Sequence, residues 1–142
     1  MKPIAAALFA LAAVTGTMRA EDPMLSQSKV FAFADAPVRK MANGGESHDI
    51  VQGMLKTGEA VRVHESMQPE GATPNPAHAI DHSEFIIVQE GTLEYSHDGT
   101  TERAGPGSVI YVALGTMHSV KNVGKSAVKY AVISIGGDIK QK

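Results

Sequence analysis

From residue 50 onward, hydrophobic and polar residues alternate in short stretches that are separated by turn residues. An alternation with a period of two places one set of side chains on each face of a strand, so each stretch predicts a β-strand. Six strands are predicted, at residues 61–67, 84–89, 92–97, 108–114, 118–123 and 128–135. Glycine and proline lie in most of the gaps, and Asp98-Gly99 is typical of a hairpin turn. No stretch after residue 22 has a sustained helical repeat of apolar positions, so the sequence predicts an all-β sandwich or barrel.

The segment before residue 50 has a less regular pattern. Val30–Phe33 predicts a first strand, and Asn43-Gly44-Gly45 predicts a turn. We expect residues 21–49 to form an N-terminal arm that packs on a barrel at residues 50–137. Residues 138–142 are expected to form a short C-terminal tail.

The first twenty residues have the pattern of a signal peptide. Lys2 precedes an apolar stretch, residues 4–14, and small and polar residues follow it. The apolar stretch is shorter than the roughly 20 residues that a membrane-spanning helix needs. We therefore expect a periplasmic or secreted protein that has no membrane attachment after its leader is removed. Cleavage is expected after Ala20, with Gly16 and Thr17 as alternatives, and the competing interpretation of residues 1–20 is a buried N-terminal helix.

Composition narrows the chemistry that the chain can perform. The 142 residues include 13 basic and 15 acidic residues, and removal of residues 1–20 would leave 11 basic against 15 acidic. This acidic balance gives no reason to expect nucleic-acid binding. The chain has no cysteine, so thiolate catalysis, disulfides and thiolate metal sites are excluded. Any transition metal must be held by imidazole and carboxylate groups.

Two stretches have the residue spacing of a known metal-binding fold. In the second stretch the spaced residues are Gly107, Ala113, Gly115, His118 and Asn122. This spacing resembles the second motif of the cupin superfamily, with only the proline of that motif replaced. The resemblance implies a cupin double-stranded β-helix, which is a jelly-roll barrel. It also implies a ligand role for the histidine and structural roles for the glycines and the asparagine.

The first stretch resembles the first cupin motif less completely. His78, Glu84 and Gly91 keep the spacing of that motif, whereas Ile80 stands where its second histidine belongs. Gly71 is one residue out of register with the upstream glycine of the motif. The resemblance therefore implies that His78 and Glu84 bind a metal together with the histidine of the second motif.

His82 adds a further candidate ligand. It lies two residues before Glu84, so in an extended segment both side chains point to one face and could share an ion. The alternative places His82 at the rim of the site, where it would carry protons. Two imidazoles and one carboxylate already suffice for non-haem iron. We expect iron or manganese, with zinc or nickel as alternatives.

The strands also predict the walls of a cavity. Side chains expected to face inward are largely aliphatic, aromatic or thioether groups: Met67, Ile86, Val88, Val109, Tyr111, Met117, Val120 and Ile133. Apolar walls around a metal favour a small organic ligand. Arg62 and Arg103 are isolated in the sequence, which argues against nucleotide sugars. His64 is expected to face solvent, although the alternation also allows it to line the cavity.

These observations give one leading functional hypothesis and two alternatives. The leading one is an exported metal-binding protein, a dioxygenase-type enzyme that acts on a small organic substrate, in which His82 or Glu84 handles protons. One alternative is a non-catalytic module that binds a small molecule or a metal. The other is a zinc-dependent isomerase or hydrolase. Homodimers are common among cupins that resemble this chain, and the predicted strand at Val30–Phe33 offers a segment for pairing with a second copy.

Overall fold

Two antiparallel sheets make up the part of the chain that this computed structural model describes, residues 23–137. The strands are β1 Val38–Lys40, β2 Glu46–Met54, β3 Ala60–Gln68, β4 Ser83–Glu90, β5 Leu93–His97, β6 Thr100–Ala104, β7 Val109–Val112, β8 His118–Asn122 and β9 Val128–Ile135. The first sheet has the strand order β1-β2-β3-β9-β4-β7 and the second has the order β6-β5-β8. His78 forms an isolated antiparallel bridge with His118, which extends the second sheet beyond β8.

The core lies between the two sheets and follows from strand alternation. In β9 every second residue is buried, from Val128 to Ser134, and the residues between them are half-buried. The buried apolar side chains form one cluster: Ile86, Val88, Leu93, Tyr95, Ala104, Ile110, Val112, Val128, Tyr130 and Val132. Full burial of an aliphatic or aromatic side chain stabilises the fold by about 1.5–3 kcal/mol. The cluster draws on both sheets, so it holds them together.

A polar network joins β8 of the second sheet to β3 of the first. The Asn122 side-chain amide donates to the carbonyl oxygens of Gln68 at 3.1 Å and Ser126 at 2.8 Å, and its oxygen accepts from Gly124 N–H at 2.9 Å. The Gln68 side chain accepts from Asn122 N–H at 3.1 Å and donates to the Tyr130 hydroxyl at 3.0 Å. Asn122 and Gln68 are both buried. Asn122 therefore has the structural role that the motif resemblance implies, because it links the two sheets.

Three glycines of the two motifs adopt backbone conformations that disfavour other residues. Gly91, Gly107 and Gly115 have φ angles of 78°, 83° and 83°. A Cβ atom at Gly91 would also lie 2.8 Å from the Ala127 carbonyl oxygen. These positions end or begin strands, so the glycines fix the turns of the fold.

The predicted all-β class is confirmed, and all six predicted strands are present. The sequence analysis missed β1, β2 and β6. β6 is almost wholly exposed and polar, and β2 turns polar residues such as Ser47 inward, so neither shows a hydrophobic alternation. β2 also crosses residue 50, the predicted boundary between arm and barrel, and it pairs with β3 along its length. Within residues 23–137 there is no helix of the length and hydrophobicity needed to cross a membrane.

The prediction of a strand at Val30–Phe33 is wrong. Residues 30–32 belong to no strand, and Phe33–Asp35 forms a single turn of 3-10 helix. The Phe33 ring stacks on the ring of His48 with centroids 4.5 Å apart, so this segment packs on β2 through a side chain and does not pair with it. The predicted leader at residues 1–20 and the tail at 138–142 lie outside the described residues.

Replacement of Asn122 by alanine is expected to lower the free energy of unfolding by about 3 kcal/mol, because it leaves buried backbone and Gln68 groups without partners. Urea unfolding followed by circular dichroism measures the change. The neighbouring exposed residue provides the control, since Lys121→Ala should change the value by no more than about 0.5 kcal/mol. Equal losses in both variants would contradict the structural role of the network.

Candidate ligand and metal site

A cavity of about 890 Å³ lies between the two sheets. Four of the six histidines of the chain, namely His64, His78, His82 and His118, line it together with Glu84. Its volume lies within the usual range of about 300–1,000 Å³ for small-molecule sites. The structure therefore brings all four sequence-predicted site residues, and one histidine expected to face solvent, to a single cavity.

Strand register builds one wall of the cavity from β3, β9 and β4. Arg62, Ser134 and Glu84 form one row across these strands, because Arg62 pairs with Ser134 and Ser134 pairs with Glu84. Two residues further along, His64, Val132 and Ile86 form the next row. Residues in register across a sheet project to the same face. All six side chains line the cavity.

Glu84 and His82 form a hydrogen-bonded pair on this wall. His82 Nε2 lies 2.9 Å from Glu84 Oε1, which also accepts from the Ser134 hydroxyl at 3.0 Å. Both side chains are largely buried, with about 15% of His82 and 14% of Glu84 exposed. His82 Nδ1 is buried and has no hydrogen-bond partner, since the nearest carboxylate oxygen, on Asp81, is 3.7 Å away. The pair can exchange a proton directly, and the second ring nitrogen of His82 stays available.

His78 and His118 form the second pair, on the opposite side of the cavity. Each backbone N–H donates to the backbone carbonyl of the other residue at 3.0 Å, and the two ring centroids are 4.8 Å apart. Nδ1 of His118 donates to the Thr116 carbonyl oxygen at 3.0 Å, and Nδ1 of His78 donates to the Pro76 carbonyl oxygen at 3.2 Å. A carbonyl acceptor fixes the tautomer, so each Nε2 keeps a free lone pair.

The donor types fit a transition metal, but the side chains are arranged as two pairs. Neutral imidazoles whose Nδ1 is held by a carbonyl oxygen are typical metal ligands, and Glu84 supplies a carboxylate. Among residues 23–137, however, no three His, Asp or Glu side chains converge closely enough to hold one ion together. Ile80, at the position of the missing histidine, is half-buried and packs against the core. For one metal ion to be held by His78, His118, Glu84 and His82, the two pairs would have to lie closer together than they do here.

His64 is the cavity residue that the sequence analysis placed wrongly. It lines the cavity, and its Nδ1 is buried without a hydrogen-bond partner. Burial, followed by the positive charge of Arg62, lowers the pKa of His64 to about 4, while Glu84 and Asp49 act in the opposite direction. The ring is therefore neutral at pH 7. Only the register with β9, in which every second residue from Val128 to Ser134 is buried, distinguishes the cavity side of β3 from its outer side.

The predicted cavity wall was also largely wrong. Only Ile86 and Val120 of the eight predicted residues line the cavity, and Val88 belongs to the core. Val109, Tyr111 and Met117 are more than half exposed, and Met67 and Ile133 alternate with inward-facing neighbours. β7 and β9 carry apolar residues on both faces, and β3 turns its polar residues Arg62, His64 and Ser66 toward the cavity, so alternation alone cannot choose the inner face. The actual wall includes polar groups from the first sheet, namely Arg62, Ser66, Tyr130 and Ser134.

A jelly-roll barrel with a histidine-lined cavity between its sheets defines a recognisable class of protein. The family model described as "Cupin domain" matches residues 63–135, just over half of the chain. The chain therefore belongs to the cupin family, as its two motifs predicted. The comparison with curated protein sequences finds no match.

Solved structures show the same fold at low sequence identity. An RmlC-like cupin from Shewanella frigidimarina is 18% identical with a TM-score of 0.63, covering 80% of this chain and 96% of that one. A predicted oxalate decarboxylase from Thermotoga maritima is 16% identical with a TM-score of 0.62, covering 75% and 98%. KdgF from Halomonas sp. is 15% identical with a TM-score of 0.64, covering 76% and 94%. At these identities the similarity establishes the fold alone.

The lowered pKa of His64 predicts a specific loss of stability in acid. The unfolded chain takes up a proton on this histidine below pH 6.5, whereas the folded chain does so only near pH 4. Stability should therefore fall across this window as the pH decreases, by at most about 1.4 kcal/mol per pH unit. In metal-free protein, His64→Gln should flatten this dependence in urea unfolding at pH 7.5 and pH 5. His97→Gln, which removes a histidine with a raised pKa, should not flatten it.

Proposed function

We propose that this chain is a metal-dependent cupin that binds a small organic molecule between its two sheets and acts on it. The observation that carries the proposal is the pair His78 and His118, whose Nδ1 atoms are held by backbone carbonyl oxygens while each Nε2 keeps its lone pair. A fixed tautomer of this kind is what a metal site requires. The similarity to a structure named a predicted oxalate decarboxylase supports an enzymatic role.

His78, Glu84 and His118 are proposed as the metal ligands, and His82 as the fourth ligand or the proton carrier. Iron or manganese bound by two imidazoles and a carboxylate would leave positions open for substrate and dioxygen, which is dioxygenase-type chemistry. Zinc or nickel are the alternative metals. The 2.9 Å contact between His82 and Glu84 supports a proton-handling role for the pair, since a proton can move along that hydrogen bond.

A non-catalytic binding module is the second candidate function. It is favoured by the arrangement of the donors as two pairs in the described residues and by the aliphatic side chain of Ile80 in the first motif. Such a module would bind a small organic molecule in the same cavity without turning it over. Metal content and turnover together separate the two candidates, because the first requires both a stoichiometric ion and turnover, whereas the absence of either one leaves the module.

Export and self-association complete the proposal. The proposed location is the periplasm or the cell exterior, and its support is the signal-peptide pattern of residues 1–20.

A homodimer is proposed as well, but the predicted strand at Val30–Phe33 no longer supports it. Its support is now the outer side of β7, an edge strand on which Val109 and Tyr111 are 59% and 56% exposed, with Leu114 nearby at 64%. Contiguous exposed apolar groups of this kind mark interaction surfaces.

Elemental analysis of the mature protein is expected to find about one iron or manganese ion per chain. His118→Ala should lose most of this metal because it removes a buried ligand, and the result for His82→Ala decides whether His82 is a ligand or a proton carrier. His97→Ala, outside the cavity, serves as the control and should retain the metal. A wild-type protein that holds no stoichiometric metal after reconstitution would contradict the metal-dependent function and leave the binding module.

Sedimentation equilibrium is expected to give a dimer for the wild-type protein and a monomer for Tyr111→Glu, because a charge would be buried at the apolar outer side of β7. Lys121→Glu, a change of another exposed residue on the second sheet, should leave the dimer intact. A wild-type protein that is monomeric at every concentration would rule out the homodimer. Loss of the dimer in both variants would rule out this surface.

A further inference from the structure

Three cationic side chains line one side of the cavity, and Arg62 is distant in sequence from the adjacent pair Arg39 and Lys40. Arg39 and Lys40 come from β1, and Arg62 comes from β3. Register explains the position of Arg39, because it pairs with Ser47 of β2, which in turn pairs with Ser66 of β3. Ser47 and Ser66 both line the cavity, so Arg39 projects to the same face.

The three cations differ in how far their charge is already neutralised. Lys40 forms an ion pair with Glu46, and Arg62 forms one with Asp49. Arg39 makes no hydrogen bond or ion pair within residues 23–137 and lines the cavity at its exposed mouth. Among the residues that the structure describes, one positive charge at the cavity is therefore left without a partner.

Arg62 is held in place and still has donors to offer. About 17% of its side chain is exposed, and only its Nη2 atom is bonded to Asp49. A guanidinium carries five N–H donors in a rigid fork, so several remain for a ligand in the cavity. Asp49 acts as a positioning residue, because it fixes the guanidinium against the wall.

His64 lies beside Arg62 on the same face of β3 and adds a third group. Its Nδ1 is buried without a partner, and the positive charges of Arg62 and Arg39 are both close enough to lower its pKa. A buried polar atom without a partner is uncommon in folded proteins, and a bound ligand is one way to satisfy it. Arg39, Arg62 and His64 together form a cluster of hydrogen-bond donors. Within the described residues, each of these groups keeps at least one polar atom without a hydrogen-bond partner.

The opposite part of the cavity has a different character. Its acidic residues are Asp81, just before β4, and Glu84, in β4. Glu84 lies two strands from Arg62 in the row that contains Ser134, whereas the apolar side chains of Val132 and Ile86 continue the next row from His64. A molecule that spans the cavity would meet cationic donors at one end and an apolar surface along its body. Because Glu46 and Asp49 already neutralise two cations, the site fits a single negative charge better than a dianion such as phosphate.

We propose that the cavity binds an organic acid, whose carboxylate is held by Arg39, Arg62 and His64 and whose apolar body lies against Ile86 and Val132. This organic-acid site depends on the proposed function in one respect only, namely that a small molecule binds in this cavity. A planar guanidinium matches the two oxygens of a carboxylate, and such charge-assisted hydrogen bonds are about twice as strong as neutral ones. The metal-binding residues would then meet the opposite end of the same molecule.

Calorimetric titration of metal-free protein tests the proposal with matched acids and amides: isobutyrate and isobutyramide, benzoate and benzamide, and phenylacetate and phenylacetamide. At least one acid is expected to bind about tenfold or more tightly than its amide, because the amide has the same shape but no charge. Arg39→Gln, Arg62→Gln and His64→Gln should each reduce this preference about fivefold or more while the amide affinity changes little. Arg103→Gln, an exposed arginine of β6 outside this cavity, should keep the preference.

Arg62→Gln leaves Asp49 without its partner and can destabilise the fold, so Arg39→Gln, at the exposed mouth, is the decisive variant. The proposal is overturned if no acid binds better than its amide, or if Arg39→Gln and Arg103→Gln reduce the preference equally. A protein without stoichiometric metal that still prefers acids would reject the metal-dependent function and keep the organic-acid site. A protein with metal and no preference for acids would reject only the organic-acid site.

Discussion

The structure depends on the in-register pairing of β9 with β3 on one side and with β4 on the other. This single alignment sets Ser134 between Arg62 and Glu84, and it sets Val132 between His64 and Ile86. A slip of β9 by one residue would turn Ser134 and Val132 to the outside of the sheet and break both rows. The polar wall of the cavity is therefore a product of register and not of any single motif.

Two regions lie between the sheets, the packed core and the cavity, and the same strands contribute to both. Around Asn122 and Gln68 every cross-sheet polar contact is satisfied, and the apolar cluster beside it is fully packed. In the cavity, by contrast, His64 Nδ1 and His82 Nδ1 are buried without partners. Unsatisfied polar atoms weaken a fold, so their presence on one wall agrees with a site shaped for a ligand.

Much of the fold could be predicted from the sequence because strand alternation and turn residues are local signals. The glycines at 91, 107 and 115 were placed correctly in turns, and Glu84 and His118 were placed correctly at the start of strands, for this reason. The inner faces of β7 and β9 could not be predicted, because both faces of these strands are apolar. Arg39 and His64 could not be assigned to the cavity either, since their position depends on pairing between strands that are distant in sequence.

The two ends of the cavity differ in local stability, because one of them is built from the short strand β1. All three residues of β1 are exposed, and the strand pairs only with β2 at the edge of the sheet. Edge segments with few buried groups open at much lower free energy than the strands of a core. Arg39 thus belongs to an exposed edge segment that can open at low free energy, whereas Glu84 lies in β4, which is paired with a strand on each side. If the proposed site is correct, the residue that captures a ligand would therefore lie in a less stable part of the domain than the carboxylate at the other end of the cavity.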